Sequence, residues 1–121
     1  MSSHHAENQV EQLPSEQRAL LDALVLLDDA AGAYALLQDL CTPREIEDLS
    51  RRLQVARMLD AGANYEHIQA KTGVSSTTVS RVSKCLTYGP GGYRQTLDRL
   101  PAYVDEQDEV AQAGQPGDKE A

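Results

Sequence analysis

NYEHIQAKTGVSSTTVSRVSKCL, residues 64–86, reads as two short helices joined by a glycine turn. Ile68 faces the first helix inward, and Gly73 falls four residues before Thr77, where the chain must reverse tightly and a residue free to adopt positive φ meets no steric cost. Val74 follows as an apolar plug. Ser75 or Ser76 can cap the next helix by accepting from its free N–H groups, and Val79, Val82 and Leu86 recur at i, i+3 and i+7 to turn one face inward. The opposite face presents Ser76, Thr77, Ser80, Arg81 and Lys84, with Ser75 at its mouth and Thr78 in the same first turn. Short hydroxyl side chains and two cations let a backbone approach a duplex closely. The pattern is that of a helix-turn-helix, whose second helix enters the major groove. It names Ser75, Ser76, Thr77, Thr78, Ser80, Arg81 and Lys84 as the DNA-contacting residues. Thr72-Gly73-Val74-Ser75 and Thr78-Val79-Ser80-Arg81 also match many bacterial repressor headpieces.

Net charge argues the other way at first, since the chain carries 11 basic against 19 acidic residues, a net −8. Phosphate neutralisation supplies much of the affinity for DNA, so binders are expected to be basic. The distribution resolves the conflict. Residues 1–35 and 101–121 each hold one basic and six acidic residues, whereas residues 36–100 hold nine basic and seven acidic. Within that centre, residues 75–99 carry Arg81, Lys84, Arg94 and Arg99 against Asp98 alone. Two acidic ends around a mildly basic centre predict moderate, salt-sensitive DNA affinity.

Length and composition predict one small all-α domain over 15–100, with a disordered acidic leader (1–14) and a disordered acidic tail (101–121) that have almost nothing to bury. Ser15 can cap a first helix with Leu20, Leu21, Leu24 and Leu27 on its apolar stripe, Gly32 punctuates, and a second segment buries Leu36, Leu37 and Leu40. Thr42-Pro43-Arg44-Glu45 is a capping box with proline at the first helical position. The third helix then runs to about Ala61, and Gly62 ends it.

On that third helix Ile46, Leu49, Leu53 and Ala56 form one stripe, while Val55, Met58 and Leu59 carry apolar character further round, wider than one neighbouring helix covers. Phe and Trp are absent, so a lone chain of this size has a thin core. A homodimer with a shared core is the expectation. Its two-fold axis would set two recognition helices one DNA turn apart, matching a palindromic operator.

The other chemistry is excluded on simple grounds. Cys41 and Cys85 lack a CxxC partner and read as reduced core thiols. The His4-His5 pair lacks the three or four convergent ligands of a metal site, so no metal and no cofactor are expected. The longest purely apolar run, Ala23–Leu27, is far too short for a bilayer and no cationic leader precedes it, so a cytoplasmic, nucleoid-associated protein with no membrane contact is expected. Gly89-Pro90-Gly91-Gly92 lacks the Lys-Ser/Thr and the preceding strand of a phosphate loop. No nucleophile, base and orienting acid converge, so an enzyme is not expected.

Leu40-Cys41-Thr42-Pro43-Arg44-Glu45, Arg51-Arg52, the helix-turn-helix, and Cys85-Leu86-Thr87-Tyr88-Gly89-Pro90-Gly91-Gly92-Tyr93, in that order, resemble the Trp-repressor-related YerC/YecD family over about residues 15–100. The resemblance implies an all-helical, intertwined homodimer and a bacterial transcription regulator. It also places Thr42, Arg52 and Arg81 where the Trp repressor holds its amino-acid corepressor, as ligand or phosphate contacts. Two positions depart from that pattern. Val82 stands where the Trp repressor has a glycine beneath the indole, and its branched side chain should fill that volume, so tryptophan is not the expected effector. Glu66 replaces a DNA-contacting arginine. Arg51 and Arg52 can instead pair with Glu47 and Asp48 along a solvated helix face.

The sequence supports two functions. One is a homodimeric, sequence-specific DNA-binding regulator, acting as a repressor through Ser75–Lys84. The other is an interaction module that presents the same scaffold to a protein while its acidic ends repel DNA.

Overall fold

A computed structural model of the chain describes residues 9–105, and every regular element in it is helical. After a helical turn at residues 9–11 come α1 (Ser15–Val25), α2 (Ala30–Leu40), α3 (Pro43–Asp60), α4 (Tyr65–Thr72), α5 (Ser76–Tyr88) and α6 (Gly92–Arg99). The residues before 9 and after 105, with His4 and His5 among them, lie outside the described residues. Two compact units divide between Ile46 and Glu47, inside α3.

The boundaries follow local chemistry. At the start of α3, Thr42 N donates to Glu45 Oε1 at 2.8 Å and Glu45 N donates to Thr42 Oγ1 at 3.1 Å, the reciprocal pair of a capping box. At its end Ala63 N bonds Met58 O and Gly62 N bonds Leu59 O, both at 3.0 Å, with Gly62 at φ +91°. This is a Schellman stop, and its characteristic apolar contact is present because Ala63 packs on the core that holds Met58. The first two helices depart from expectation. Pro14, not Ser15, is the N-cap of α1, and no side chain closes that end. Gly32 does not interrupt anything: Asp29 caps α2 by accepting from Gly32 N at 2.7 Å, which puts Gly32 inside the first turn.

Among its described residues, the first unit buries no side chain. Neither α1 nor α2 contains a buried residue, and Leu20, Leu24, Val25, Leu26, Tyr34 and Leu40 are all exposed, Leu26 at 82 %. The second unit holds the core: Val55, Ala56 and Met58 of α3, Ile68 of α4, and Val79 and Val82 of α5. On α3 the buried arc is therefore the Val55–Met58 side, while Leu49 of the expected stripe is 45 % exposed and Leu53 is half-buried. Burying each Val, Ile or Met is worth about 2 kcal/mol, so six buried residues make a modest core. Contrary to the expectation of two core cysteines, Cys41 is half-buried and Cys85 exposed.

Candidate nucleic-acid interface

Four local devices build the corner between α4 and α5. Asn64 Oδ1 accepts from His67 N at 2.8 Å and starts α4. Gly73 stops it at φ +77°, its N–H bonded to Gln69 O at 2.8 Å; nothing lies within 4 Å of where a Cβ would sit, so glycine is needed for conformation rather than room. Thr72 Oγ1 donates back to Ile68 O at 2.7 Å and accepts from Val74 N, pinning the turn. Ser75, rather than Ser76, is the cap of α5: its Oγ accepts from Thr78 N at 3.2 Å and donates to Thr78 Oγ1.

Val79 and Val82, at 0 % and 2 % exposure, fix the rotation of α5 about its axis. That rotation leaves Ser75, Ser76, Thr77, Ser80, Arg81 and Lys84 exposed, with Thr78 half-buried at the cap. Among the described residues neither Arg81 nor Lys84 forms an ion pair. No acid stands in the first turn of α5, so the helix does not itself oppose the positive end of its dipole.

Thr42, Arg52 and Arg81 have these local surroundings. The Thr42 hydroxyl is engaged in the capping box and Arg81 sits on the open face of α5. Arg52 faces a cleft of about 480 Å³, with Asp48, Arg51 and Arg52 of α3 on one side and residues 72–74 with Thr78 on the other. Arg51 pairs with Glu47 and Asp48, each at 3.8 Å, as its spacing predicts. Val82 does not line this cleft; its side chain belongs to the core.

Beyond α5 the chain folds back. Arg94 Nη1 and Nη2 reach Asp60 Oδ1 at 3.0 and 2.9 Å, tying α6 to the end of α3, and that hydrogen bond raises the Arg94 pKa. Leu53, Cys85, Pro90, Gly92, Tyr93 and Thr96 surround an apolar hollow of about 430 Å³, where burial pushes the Tyr93 hydroxyl up. Residues 101–105, at the head of the expected tail, fold back onto α3 and α4 within the second unit. Tyr103 lies against the core with the Arg57 guanidinium 5.4 Å from its ring centre, and Asp105 reaches His67 and Lys71. Sequence reading missed this strap, for which Tyr103 within an acidic stretch was the available signal.

Known proteins share this fold. The family model described as Trp repressor protein matches residues 15–101, and the chain belongs to that family. Within it the chain is 44 % identical over 81 residues to YerC of Bacillus subtilis (strain 168), itself uncharacterised, covering 67 % of this chain and 78 % of that one. A TrpR-like protein from Eubacterium eligens superposes with a TM-score of 0.72 at 37 % identity, over 78 % of this chain and 98 % of its own. A crystal structure from Staphylococcus aureus, described as a candidate Trp repressor, gives 0.71 at 36 % identity, over 78 % and 95 %. The all-helical Trp-repressor-like fold expected from the sequence is thus the fold of the chain.

Proposed function

We propose that this chain is a DNA-binding transcription regulator that acts as a homodimer, reads an operator through α5 and works as a repressor. The observation that carries the reading is the fixed rotation of α5. Val79 and Val82 are locked into the core while Thr77, Ser80, Arg81 and Lys84 face solvent together, two of them cations free of ion pairs among the described residues. Such a face combines phosphate neutralisation with base-edge donors and acceptors. Membership of the Trp repressor family supports the same reading.

Dimerisation is supported by the first unit, where Leu20, Leu24, Val25, Leu26, Tyr34 and Leu40 are exposed close together in sequence, the kind of apolar surface that marks a partner contact. A second copy is the partner that the two-fold symmetry of operators favours. Tryptophan is not proposed as effector: by resemblance, Val82 stands where the Trp repressor has a glycine beneath the indole, and its branched side chain is packed at 2 % exposure. Arg52 is assigned a phosphate or an acidic ligand at the rim of its cleft. DNA binding would keep the protein at the nucleoid, and no helix among the described residues is long and apolar enough to cross a membrane.

Footprinting on genomic fragments selected by the full chain tests this reading. A protected palindrome with half-sites about 10 base pairs apart is expected. Selection that enriches no shared sequence, with capture of a protein partner instead, would assign the scaffold to protein interaction.

A further inference from the structure

The last described acid is turned onto the helix-turn-helix. Asp105 Oδ2 lies 2.6 Å from His67 Nε2 and Oδ1 lies 3.3 Å from Lys71 Nζ, with the carboxylate 17 % and the lysine side chain 20 % exposed. The chain is held on the way there. Arg57 Nη2 donates to Pro101 O at 3.3 Å, and Tyr103 packs between the Arg57 guanidinium and the core. The C-terminal segment therefore departs from a fixed point on α4, the helix that packs against α5. Beyond Asp105 the sequence continues for 16 residues, with Glu106, Asp108, Glu109, Asp118 and Glu120 against Lys119 alone.

We propose that segment 106–121 is an internal competitor of DNA: in the free protein its carboxylates occupy Lys84 and Arg81 of α5, and DNA phosphates displace them. The proposal rests on the DNA-binding reading of α5. Three observations support it. Charge is complementary, because both cations of α5 are exposed and free of ion pairs among the described residues. Reach suffices, because 16 residues span at most about 55 Å, whereas a helix of 13 residues is about 20 Å long. The chemistry is already in place at the root of the segment, where Asp105 neutralises Lys71 of the same helix-turn-helix. Tethering raises the local carboxylate concentration to the millimolar range. Single exposed ion pairs are weak, so a polyanion with many phosphates still displaces the segment; the device lowers affinity for every duplex and so disfavours weak, non-specific sites.

The test uses the full chain and a full-length variant combining Glu106→Gln, Asp108→Asn, Glu109→Gln, Asp118→Asn and Glu120→Gln. Zero-length carbodiimide cross-linking of the DNA-free parent should join Lys84 to a carboxylate within 106–121, with the Lys71–Asp105 link as internal control. In anisotropy with a mixed-sequence duplex at about 50 mM salt, the variant should bind roughly tenfold more tightly than the parent, the gap closing as salt rises. A Lys71–Asp105 link without any Lys84 link overturns the docking, whatever the DNA result. Equal affinities in two chains that both bind overturn the competition. Binding by neither chain removes the DNA reading and the competition with it, while the cross-link still decides the docking.

Discussion

At the scale of single residues, the proposed DNA contacts are concentrated on α5, and its two cations should behave differently. Arg81 stands over the outward face with planar, multiple donors, whereas Lys84 is a point charge one turn further on. Arg81→Ala should weaken binding to a selected operator by about 1–3 kcal/mol and leave thermal stability unchanged, because the side chain is exposed. Lys84→Ala should weaken binding to all sequences alike. Operator affinity unchanged in Arg81→Ala at the same salt would remove Arg81 from the recognition face. Val82 sets the second expectation at this scale. Its packed side chain predicts no saturable heat when millimolar tryptophan is titrated into the protein, and a dissociation constant below about 100 μM, or roughly −5.5 kcal/mol, would contradict it. These residues were legible in the sequence because a helix has one period and a glycine turn marks its start. The Asp105 contacts were not, because 38 and 34 positions separate the aspartate from His67 and Lys71, and no local pattern encodes such a pairing.

At the scale of elements, the corner depends on a cap and a turn. Ser75→Ala removes the acceptor of Thr78 N and should cost about 1 kcal/mol, read as a lower denaturation midpoint. Gly73→Ala meets open space yet must adopt φ +77°, so it should also destabilise by about 1 kcal/mol; no loss would mean the turn can relax to another conformation. The capping box at Thr42 and the stop at Gly62 were legible because each is a contiguous motif whose hydrogen bonds lie within a few residues. The start of α2 was misread, since Gly32 attracts attention as a breaker while Asp29, three residues earlier, supplies the acceptor that begins the helix. On α3 the wide apolar arc was visible, but which part of it the chain itself covers depends on α4 and α5, which periodicity within one helix cannot report.

At the scale of the whole molecule, the core of six buried residues lies entirely in the second unit, and the leucine-rich helices of the first unit bury none. Folding and association should accordingly be linked: sedimentation at micromolar concentration should give a dimer, and the thermal midpoint should rise with protein concentration. A folded monomer with a concentration-independent midpoint would contradict this. The acidic average of the chain, net −8, is compatible with the proposed DNA binding because the opposing charges occupy different segments. The central claim is that α5 engages phosphates and bases, and its most direct test is anisotropy of the full chain on an operator selected from the source genome, measured between about 50 and 200 mM salt. Saturable binding that weakens roughly a hundredfold over that range, as about four phosphate contacts require, is the predicted result. No binding at about 50 mM, or affinity indifferent to salt, would contradict it.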